Sequence, residues 1–236
     1  MKYSKEVYGE YLDWKIQGIL SLLEENGVDN ENAKLLDFGC QQGTSVKTLR
    51  DAGINACGFD IGEPSPEGFI RKSSLDEYRI PWPDDTFDAV FSHHVFEHVI
   101  DHSAALKELR RVLKPEGVMI HLFPSRWRLF EAHFFTPFGG VINNKVWCTF
   151  WAFNRKPGRR HLSMQKYGKL ASNTIRTELN YPSRAKLFRE FSNYFSITSV
   201  LPEYLYALKG IRIPKFVANL ISEFHVRVLL CRKKDY

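Results

Sequence analysis

Short apolar runs alternate with longer amphipathic stretches along most of the chain. Apolar runs bounded by turn-forming residues predict buried strands, and they lie at residues 34–38, 56–59, 89–92, 118–124, 195–200 and 225–231. Apolar residues spaced three or four apart predict helices that cover a sheet, and they lie at residues 7–25, 44–52, 103–113 and 183–191. This alternation of strands and helices predicts an α/β fold.

The first apolar run turns sharply into a helix over two glycines. Asp37 ends the run, and Gly39 and Gly43 follow with three residues between them. Glycines let the backbone approach a ligand closely, and the free amides at the helix start face that ligand. The turn therefore predicts a site for a nucleotide-type cofactor, with an ordinary strand-to-helix connection as the alternative. The helix over residues 7–25 is expected to cap this cleft.

An acid ends the second apolar run. Asp60 lies 17 residues after Gly43, where doubly wound folds place a carboxylate that accepts hydrogen bonds from both ribose hydroxyls. The alternative for Asp60 is a turn residue at the end of a strand.

Two further segments make the pattern specific. Residues 80–92 read IPWPDDTFDAVFS, and residues 109–120 read LRRVLKPEGVMI. In this order and spacing, over residues 34–124, the chain resembles the class I S-adenosylmethionine-dependent methyltransferases. The resemblance is to the type-11-like branch that acts on small molecules, which also contains C-methyltransferases of quinone biosynthesis. Nicotinamide-dependent Rossmann enzymes share only the glycine turn and the acid.

The resemblance implies a Rossmann-like fold, with a doubly wound, mostly parallel sheet that a C-terminal antiparallel hairpin completes. It also implies S-adenosyl-L-methionine as the cofactor. The implied contacts are Asp37, Gly39, Gly43 and Ser92 for the methionine moiety, Asp60 for the ribose, and Ile61 and Asp76 for the adenine. The family's turn commonly reads Gly-x-Gly-x-Gly, but Gln41 stands at the middle position here. Its side chain is expected to narrow the site or to contact the cofactor carboxylate.

Length and composition agree with one domain over residues 1–236. We expect a cofactor-binding core at 1–124, a lid at 125–184, and a segment at 185–236 that completes the sheet. No apolar run approaches the ~18 residues that span a bilayer, and the start shows no signal peptide. The four cysteines are widely spaced, which favours buried thiols in a reducing cytoplasm and predicts no metal site. The expected location is cytoplasmic, with peripheral contact at the inner membrane face as an addition.

The lid concentrates the positive charge of the chain. Residues 125–184 contain eleven Lys and Arg against two acids, a balance of +9, while the whole chain carries +6. The lid is also rich in aromatic residues, namely Trp127, Phe130, Phe134, Phe135, Phe138, Trp147, Phe150, Trp151 and Phe153. Long insertions in compact domains are commonly lids or binding surfaces.

Such a lid suits an anionic small molecule or glycan unit, a membrane interface, or a nucleic acid. The nucleic acid is the least favoured of these partners. The candidate substrate clamp comprises Arg155, Lys156, Arg159 and Arg160, on both sides of a Pro-Gly turn. The alternative is that the rings pack the lid onto the core and the basic side chains are solvated.

Methyl transfer to a hydroxyl requires a positioned acceptor and a base. His93 follows the strand predicted at residues 89–92, at its ligand-binding end, and His133 lies in the lid. These two residues are the candidate catalytic bases. His98 and His121 are expected to pack against or inside the sheet.

Several acceptor classes are disfavoured by the sequence. The strand predicted at residues 89–92 is not followed by the Asn/Asp-Pro-Pro-Tyr/Phe signature of N-methyltransferases that act on nucleic-acid bases, and no Pro-Cys nucleophile for cytosine is present. O-methylation of a small molecule or glycan unit is therefore the first expectation, with an anionic, sugar-containing or lipid-linked acceptor. The alternatives are a quinone-type C-methyltransferase, an RNA methyltransferase and a catalytically silent cofactor-binding module.

Overall fold

The computed structural model describes residues 14–62, 66–73, 79–210 and 212–234. Strands in these ranges are β1 (Leu35–Phe38), β2 (Ala56–Ile61), β3 (Ile70–Ser73), β4 (Phe87–His93), β5 (Leu113–Pro124), β6 (Phe195–Ser199) and β7 (Val226–Lys233). The α-helices are α1 (Trp14–Glu25), α2 (Thr44–Asp51), α3 (His102–Val112), α4 (Lys145–Phe150), α5 (Met164–Thr177), α6 (Arg184–Ser192), α7 (Leu201–Lys209) and α8 (Lys215–Phe224). Short 3-10 helices lie at Trp151–Asn154 and Pro157–Arg159.

The described strands form one seven-stranded sheet in the order β3-β2-β1-β4-β5-β7-β6. Neighbours from β3 to β5 pair in parallel, and β7 runs antiparallel to both β5 and β6. The predicted doubly wound, mostly parallel sheet is therefore confirmed. The chain order reverses between β1 and β4, so the carboxyl ends of these strands form the crevice where ligands bind in such folds.

Both faces of the sheet are covered by helices. All four residues of β1 are buried, as expected of a central parallel strand. One core cluster joins the sheet to α1 through Ile19, Leu20 and Leu23. A second cluster covers the opposite face and includes Leu106 of α3 and Phe191 of α6. The helix predicted over residues 7–25 is seen from Trp14 onward, and residues 7–13 lie outside the described ranges.

The end of the chain differs from a simple hairpin. β6 and β7 are antiparallel neighbours as predicted, but α7 and α8 lie between them in the chain. Leu201 and Tyr204 of α7 are buried in the same cluster as α1. The sequence reading assigned no helices there, because it followed only the two strands that flank this segment.

The lid has a small core of its own. This cluster contains Phe134, Cys148, Ala152, Tyr167, Ala171, Ile175 and Leu179. Gly168 lets α5 approach α4 closely, since a Cβ at this position would lie 2.5 Å from Cα of Thr149. The Tyr167 hydroxyl donates to the carbonyl of Phe134 at 2.7 Å, which ties α5 to the segment that leads from β5. Across the described ranges, no helix combines the length and the apolar character needed to cross a membrane.

Candidate functional site

The turn between β1 and α2 has three residues in the left-handed region. Gly39 has φ +88° and Gly43 has φ +73°, and Gln41 has φ 52°. A Cβ on Gly39 would lie 2.2 Å from Cγ2 of Val95, and one on Gly43 would lie 2.0 Å from Cδ1 of Ile70. The protein's own packing therefore requires glycine at these two positions, in addition to any requirement of a ligand.

A cavity of about 270 Å³ opens beside this turn. Its lining comprises Ile16, Asp37, Gly39, Cys40, Gln41, Gln42, Thr44, Ser45 and His93. Four residues predicted from the sequence, Asp37, Gly39, Gln41 and His93, therefore meet in one place. Ile16 brings α1 to the same cavity, as expected of a helix that caps the cleft.

Asp37 is a buried carboxyl at the floor of this cavity. Burial raises its pKa to about 7, and the negative charge of Asp60 adds to the increase. A buried carboxylate is costly unless a cation pairs with it. The site is therefore suited to a ligand that brings a positive charge next to Asp37.

Asp60 joins the end of β2 to the glycine turn. The backbone amide of Ile61 donates to its Oδ1 at 2.7 Å, and the backbone amide of Gln41 donates to its Oδ2. Asp60 is only partly buried and Ile61 is exposed. A carboxylate held in this way at the open end of β2 lies where the expected ribose would lie, with Ile61 beside it.

Two other expected cofactor residues have different outcomes. Asp76 lies outside the described residues. Ser92 is fully buried, and its hydroxyl bonds Nδ1 of His121 at 2.7 Å. The Ser92 side chain is therefore turned into the core, and only its backbone remains for a cofactor contact. His121 is buried as expected, and burial lowers its pKa to about 3.

A carboxylate and an imidazole form a dyad at the start of the lid. Nδ1 of His133 lies 2.6 Å from Oε1 of Glu131, and the Tyr181 hydroxyl donates to the same oxygen at 2.7 Å. Burial would raise the pKa of Glu131, but the hydrogen bonds from His133 and Tyr181 hold it below its ordinary value. An ionised Glu131 makes Nδ1 of His133 the donor, which leaves Nε2 of a neutral ring as a proton acceptor.

The dyad contacts the loop that follows β4. The His98 ring meets the His133 ring edge to face, with centroids 5.0 Å apart. His98 was expected to pack against the sheet, but its side chain is exposed. Burial of part of the ring lowers the pKa of His98, as does the charge of His133, whereas Asp60 acts in the opposite direction. Because Asp60 lies within electrostatic reach of His98, the dyad and the predicted ribose site belong to one region.

Glu97 is a buried acid in the same region. Oε1 lies 3.9 Å from Nδ1 of His94, and Oε2 is buried with no hydrogen-bond partner among the described residues. Burial raises the pKa of Glu97 to about 7. The backbone amide of Asn180 donates to the Glu97 carbonyl at 2.6 Å, which joins the end of the lid to this loop.

His93, the other candidate base, has a different environment. It lines the cavity that contains Asp37, and its ring stacks on that of His94 with centroids 4.3 Å apart. The dyad differs in that the bond from Nδ1 to Glu131 fixes the orientation of the His133 ring.

Three residues of this region were not singled out from the sequence. Glu131 carried a local signal, because it stands two residues before His133 in the segment EAH. Tyr181 carried none, since it is 50 residues from Glu131 in the chain. Glu97 was overlooked because an acid in a loop is most often solvated.

Three residues of the basic cluster, Arg155, Lys156 and Arg159, are partly buried, and the fourth, Arg160, is exposed. Arg159 lies 4.3 Å from the ring centroid of Phe134, and Lys156 lies 5.3 Å from that of Phe135. Nε of Arg155 and Nη1 of Arg159 are buried without hydrogen-bond partners among the described residues. Unsatisfied guanidinium donors of this kind favour an anionic ligand.

The aromatic residues of the lid divide into two groups. Phe134 is buried in the lid core, and Phe138, Trp147 and Trp151 are partly buried. The exposed ones are Trp127, Phe130, Phe135, Phe150 and Phe153. Packing therefore explains some of these rings and leaves five at the surface.

Known proteins resemble this chain in sequence and in fold. A family model described as a methyltransferase domain matches residues 8–173. A 2-methyl-6-phytyl-1,4-hydroquinone methyltransferase from Synechocystis sp. is 29% identical over 123 residues, which cover 47% of this chain and 39% of the relative. A demethylmenaquinone methyltransferase from Mycolicibacterium vanbaalenii is 32% identical over 124 residues, which cover 50% of this chain and 47% of the relative. The chain thus spans less than half the length of these two curated relatives.

The fold is also found in solved structures. An S-adenosylmethionine-dependent methyltransferase from Mesorhizobium loti superposes with a TM-score of 0.52 at 13% identity, covering 92% of this chain and 98% of that one. The family model covers more than half of the chain and extends beyond the core into the lid.

The site also fits the cofactor of this family. S-adenosyl-L-methionine carries positive charge on its sulfonium and amino groups, and the buried carboxyl of Asp37 lies beside the glycine turn without an ion pair among the described residues. The ribose hydroxyls require acceptors, and the end of β2 carries the carboxylate of Asp60. Sequence match, fold and site agree that the chain belongs to the S-adenosylmethionine-dependent methyltransferases of class I fold, with S-adenosyl-L-methionine as its cofactor.

Proposed function

We propose that this protein is an O-methyltransferase whose acceptor is the hydroxyl group of an anionic small molecule or glycan unit. The acceptor is a sugar-containing or lipid-linked compound that carries phosphate or carboxylate groups. The observation that carries the proposal is the dyad of Glu131 and His133, which lies next to His98 and within the region of Asp60.

The dyad supplies what an alcohol acceptor requires. When bound, the cofactor supplies a methyl group on a positively charged sulfur, which leaves as a neutral thioether. His133 accepts the hydroxyl proton at Nε2 while the new oxygen–carbon bond forms and the carbon–sulfur bond breaks. Glu131 holds the ring through Nδ1 and stabilises the imidazolium that results. Tyr181 keeps the Glu131 carboxylate in place.

The basic cluster supports the anionic character of the acceptor. Buried guanidinium donors are costly to leave unpaired, and a phosphate or carboxylate pairs with them at short distance. Arg155 and Arg159 both have such donors. The four cysteines are buried and free, which suits a reducing compartment, so we place the reaction in the cytoplasm.

The first experiment measures methyl transfer with His133→Ala. Acceptors are hydroxylated compounds in matched phosphorylated and neutral forms, with formation of the thioether product as the readout. We expect kcat to fall by about 10²- to 10⁴-fold, as is usual when a general base is lost, with cofactor affinity unchanged. His161→Ala is the matched control, because His161 is an exposed lid histidine outside the dyad.

Comparison of His133→Ala with His93→Ala distinguishes the two candidate bases. If His133→Ala keeps wild-type kcat while His93→Ala loses activity, the base is His93 and the dyad assignment is wrong. If no acceptor reacts although the cofactor binds, the protein is the silent cofactor-binding module.

A second candidate function is C-methylation of a quinone precursor. It is favoured by the two relatives named for hydroquinone and demethylmenaquinone methylation. Such acceptors are electron-rich aromatic rings with apolar tails, so the basic cluster would contribute little to their binding. NMR of the product separates the two functions, because a methyl group on oxygen and one on a ring carbon have different carbon shifts. A product methylated on carbon would refute the O-methyltransferase proposal.

RNA is the remaining acceptor class. Binding to the phosphate backbone weakens steeply with salt, whereas binding of an acceptor with one or two phosphates depends on salt less. Methylation of RNA with a steep salt dependence would replace the small-molecule proposal.

A further inference from the structure

Helix α8 carries an apolar stripe on its outer side. Phe216, Leu220 and Phe224 are spaced four residues apart and are 74%, 61% and 49% exposed. The inner side of the same helix is formed by Ala218 and Ser222, which are buried. Residues four apart lie on one face of a helix, so the three large side chains form a continuous surface.

The N-terminal end of the stripe is basic. Arg212 and Lys215 are exposed at the start of α8, and the Arg212 guanidinium lies 5.1 Å from the ring centroid of Tyr206, which is also exposed. Cationic side chains beside exposed aromatic rings are typical of surfaces that contact a membrane.

The C-terminal end of the stripe is basic as well. The backbone amide of Ser125 donates to the carbonyl of His225 at 3.0 Å, which brings the end of β5 next to the end of α8. Arg128 lies within electrostatic reach of His225. The segment between these contacts presents exposed Trp127, and Leu129 follows Arg128 with an exposed side chain.

The acid of α8 does not oppose this charge. Oε1 of Glu223 lies 3.4 Å from Nη2 of Arg227, and Arg227 is buried. The Glu223 carboxylate, the side chain of which is 33% exposed, is thus paired with a buried guanidinium. The outer side combines apolar side chains with positive charge at both ends.

We propose that α8 and the segment Arg126–Leu129 form a surface that binds the headgroup region of an anionic lipid bilayer. Apolar side chains enter the interface while basic residues around them attract anionic lipids. A second copy of this chain fits less well, because either orientation of two such helices would place basic ends beside basic ends. The inference does not depend on the acceptor, since the residues that line the Asp37 cavity do not come from α8.

Co-sedimentation with lipid vesicles tests the proposal on the full chain. Vesicles contain phosphatidylcholine alone or with about 30 mol% phosphatidylglycerol. The wild type is expected to bind only the anionic vesicles, and about 0.5 M salt should weaken binding because it screens the basic residues. Replacing Phe216, Leu220 and Phe224 together by Ser should lower the partition coefficient at least roughly tenfold.

The matched control replaces Phe150 and Phe153 of the lid by Ser. These side chains are 63% and 62% exposed, so the control removes two similarly exposed apolar side chains at a different place. It should bind anionic vesicles like the wild type. Calorimetry with S-adenosylmethionine checks folding, and the α8 variant should keep wild-type cofactor affinity. Arg212→Gln with Lys215→Gln, which leaves the apolar stripe intact, should also weaken vesicle binding.

Three results would overturn the proposal. The first is an absence of wild-type binding to anionic vesicles. The second is undiminished binding by the α8 variant, or a loss of binding only in the lid control, which would assign membrane contact to the lid. The third is a wild-type dimer in sedimentation velocity that the α8 substitutions dissociate, which would make a second copy the partner. None of these results bears on methyl transfer, so failure here is separate from failure of the proposed function.

Discussion

At the scale of single residues, Asp37 places stability and binding in opposition. Its folded pKa is about 7, raised by burial from the ordinary value of 3.8. The unfolded carboxyl is therefore ionised at lower pH than the folded one. Between these two pH values the folded state holds the extra proton, so stability falls as pH rises through this window. Above about pH 7 the folded state carries the full free-energy cost of the buried, ionised Asp37 carboxylate.

Asp37→Asn should stabilise the free protein and weaken cofactor binding. At about pH 8 we expect an increase of about 2 to 4 kcal/mol in the free energy of unfolding, which should vanish near pH 4. Loss of the charge should lower affinity for S-adenosylmethionine by at least about tenfold. Denaturant unfolding and calorimetry measure the two effects.

Asp88→Asn is the control for this prediction. Burial would raise the pKa of Asp88, but hydrogen bonds from Lys114 and the Lys34 amide hold it below its ordinary value. Its loss should lower stability at neutral pH and leave cofactor affinity unchanged. If Asp37→Asn destabilises the free protein at pH 8 as Asp88→Asn does, the carboxylate of Asp37 has a structural partner and the interpretation is wrong.

Gln41 holds a backbone conformation that glycine adopts more easily. Its φ is 52°, which costs an L-residue roughly 1 to 2 kcal/mol. Its amide nevertheless donates to Asp60, so the conformation links the turn to β2. The resemblance to a family with glycine at this position agrees with the strained φ.

Gln41→Gly should change stability little. Relief of the left-handed strain is offset by the greater backbone freedom of glycine in the unfolded state, so the net change is expected within about 1 kcal/mol. Cofactor affinity should fall several-fold if the Gln41 side chain contacts the cofactor carboxylate. The control is Gln42→Gly. Gln42 is not among the residues with positive φ, so this substitution relieves no strain and should lower the free energy of unfolding. Unchanged affinity in Gln41→Gly would show that the side chain makes no such contact.

At the scale of elements, the lid combines a packed core with a basic cluster that is partly bound to it. The core of Phe134, Tyr167 and Ile175 fixes α5, and the cation–π contact of Arg159 is to a member of that core. Part of the basic cluster therefore supports the lid, while Nε of Arg155 and Nη1 of Arg159 have no hydrogen-bond partner among the described residues. To separate support of the lid from binding of the acceptor, a control variant must remove the same charge elsewhere in the lid.

Replacing Arg155, Lys156, Arg159 and Arg160 together by Ala should raise the acceptor KM at least about tenfold and leave cofactor affinity within about twofold, because contacts made equally in ground and transition states act on KM. The matched control replaces Lys145, Lys166, Lys169 and Arg176, which are exposed lid residues. It should keep the wild-type KM. Equal effects of both variants would indicate long-range attraction by net charge and no clamp.

At the scale of the whole molecule, the cofactor couples stability to pH. A ligand that binds only the native state stabilises it by RT ln(1 + [L]/Kd). The positively charged cofactor favours the ionised form of Asp37, so its Kd should rise about tenfold for each pH unit below about 7. His121, whose pKa burial lowers to about 3, destabilises the fold on acidification with or without cofactor.

S-adenosylmethionine at about 100 times its Kd at pH 8 should add about 2.7 kcal/mol to the free energy of unfolding. The same concentration at about pH 6 should add about 1.4 kcal/mol, because the Kd is roughly tenfold higher. Thermal unfolding with and without the cofactor measures the difference. For Asp37→Asn, cofactor at the same multiple of that variant's own Kd should add the same free energy of unfolding at both pH values. A pH-independent increment in the wild type would contradict the linkage to Asp37.

The sequence by itself determined the parts that depend on neighbours in the chain. Apolar runs specified six of the seven described strands but not β3, and the spacing of Gly39, Gly43 and Asp60 indicated the cofactor site. Backbone freedom and strand burial are local properties, so they can be read from short segments. The helices α2, α3 and α6 followed from the same patterns, whereas the mostly parallel sheet was implied by the resemblance to the methyltransferases. Helices α7 and α8 did not, because the strand signals on either side were stronger.

The tertiary structure alone decided which distant side chains meet. Tyr181 reaches Glu131 across 50 residues of chain, and His98 reaches His133 from the loop after β4. Ser92 was assigned to the cofactor from its place at a strand end, but its rotamer directs the hydroxyl to His121 in the core. Such contacts depend on how the lid and the sheet pack together, and no local pattern encodes that packing. The sequence therefore located the cofactor, while the candidate base became defined only when the fold placed Glu131 and Tyr181 around His133.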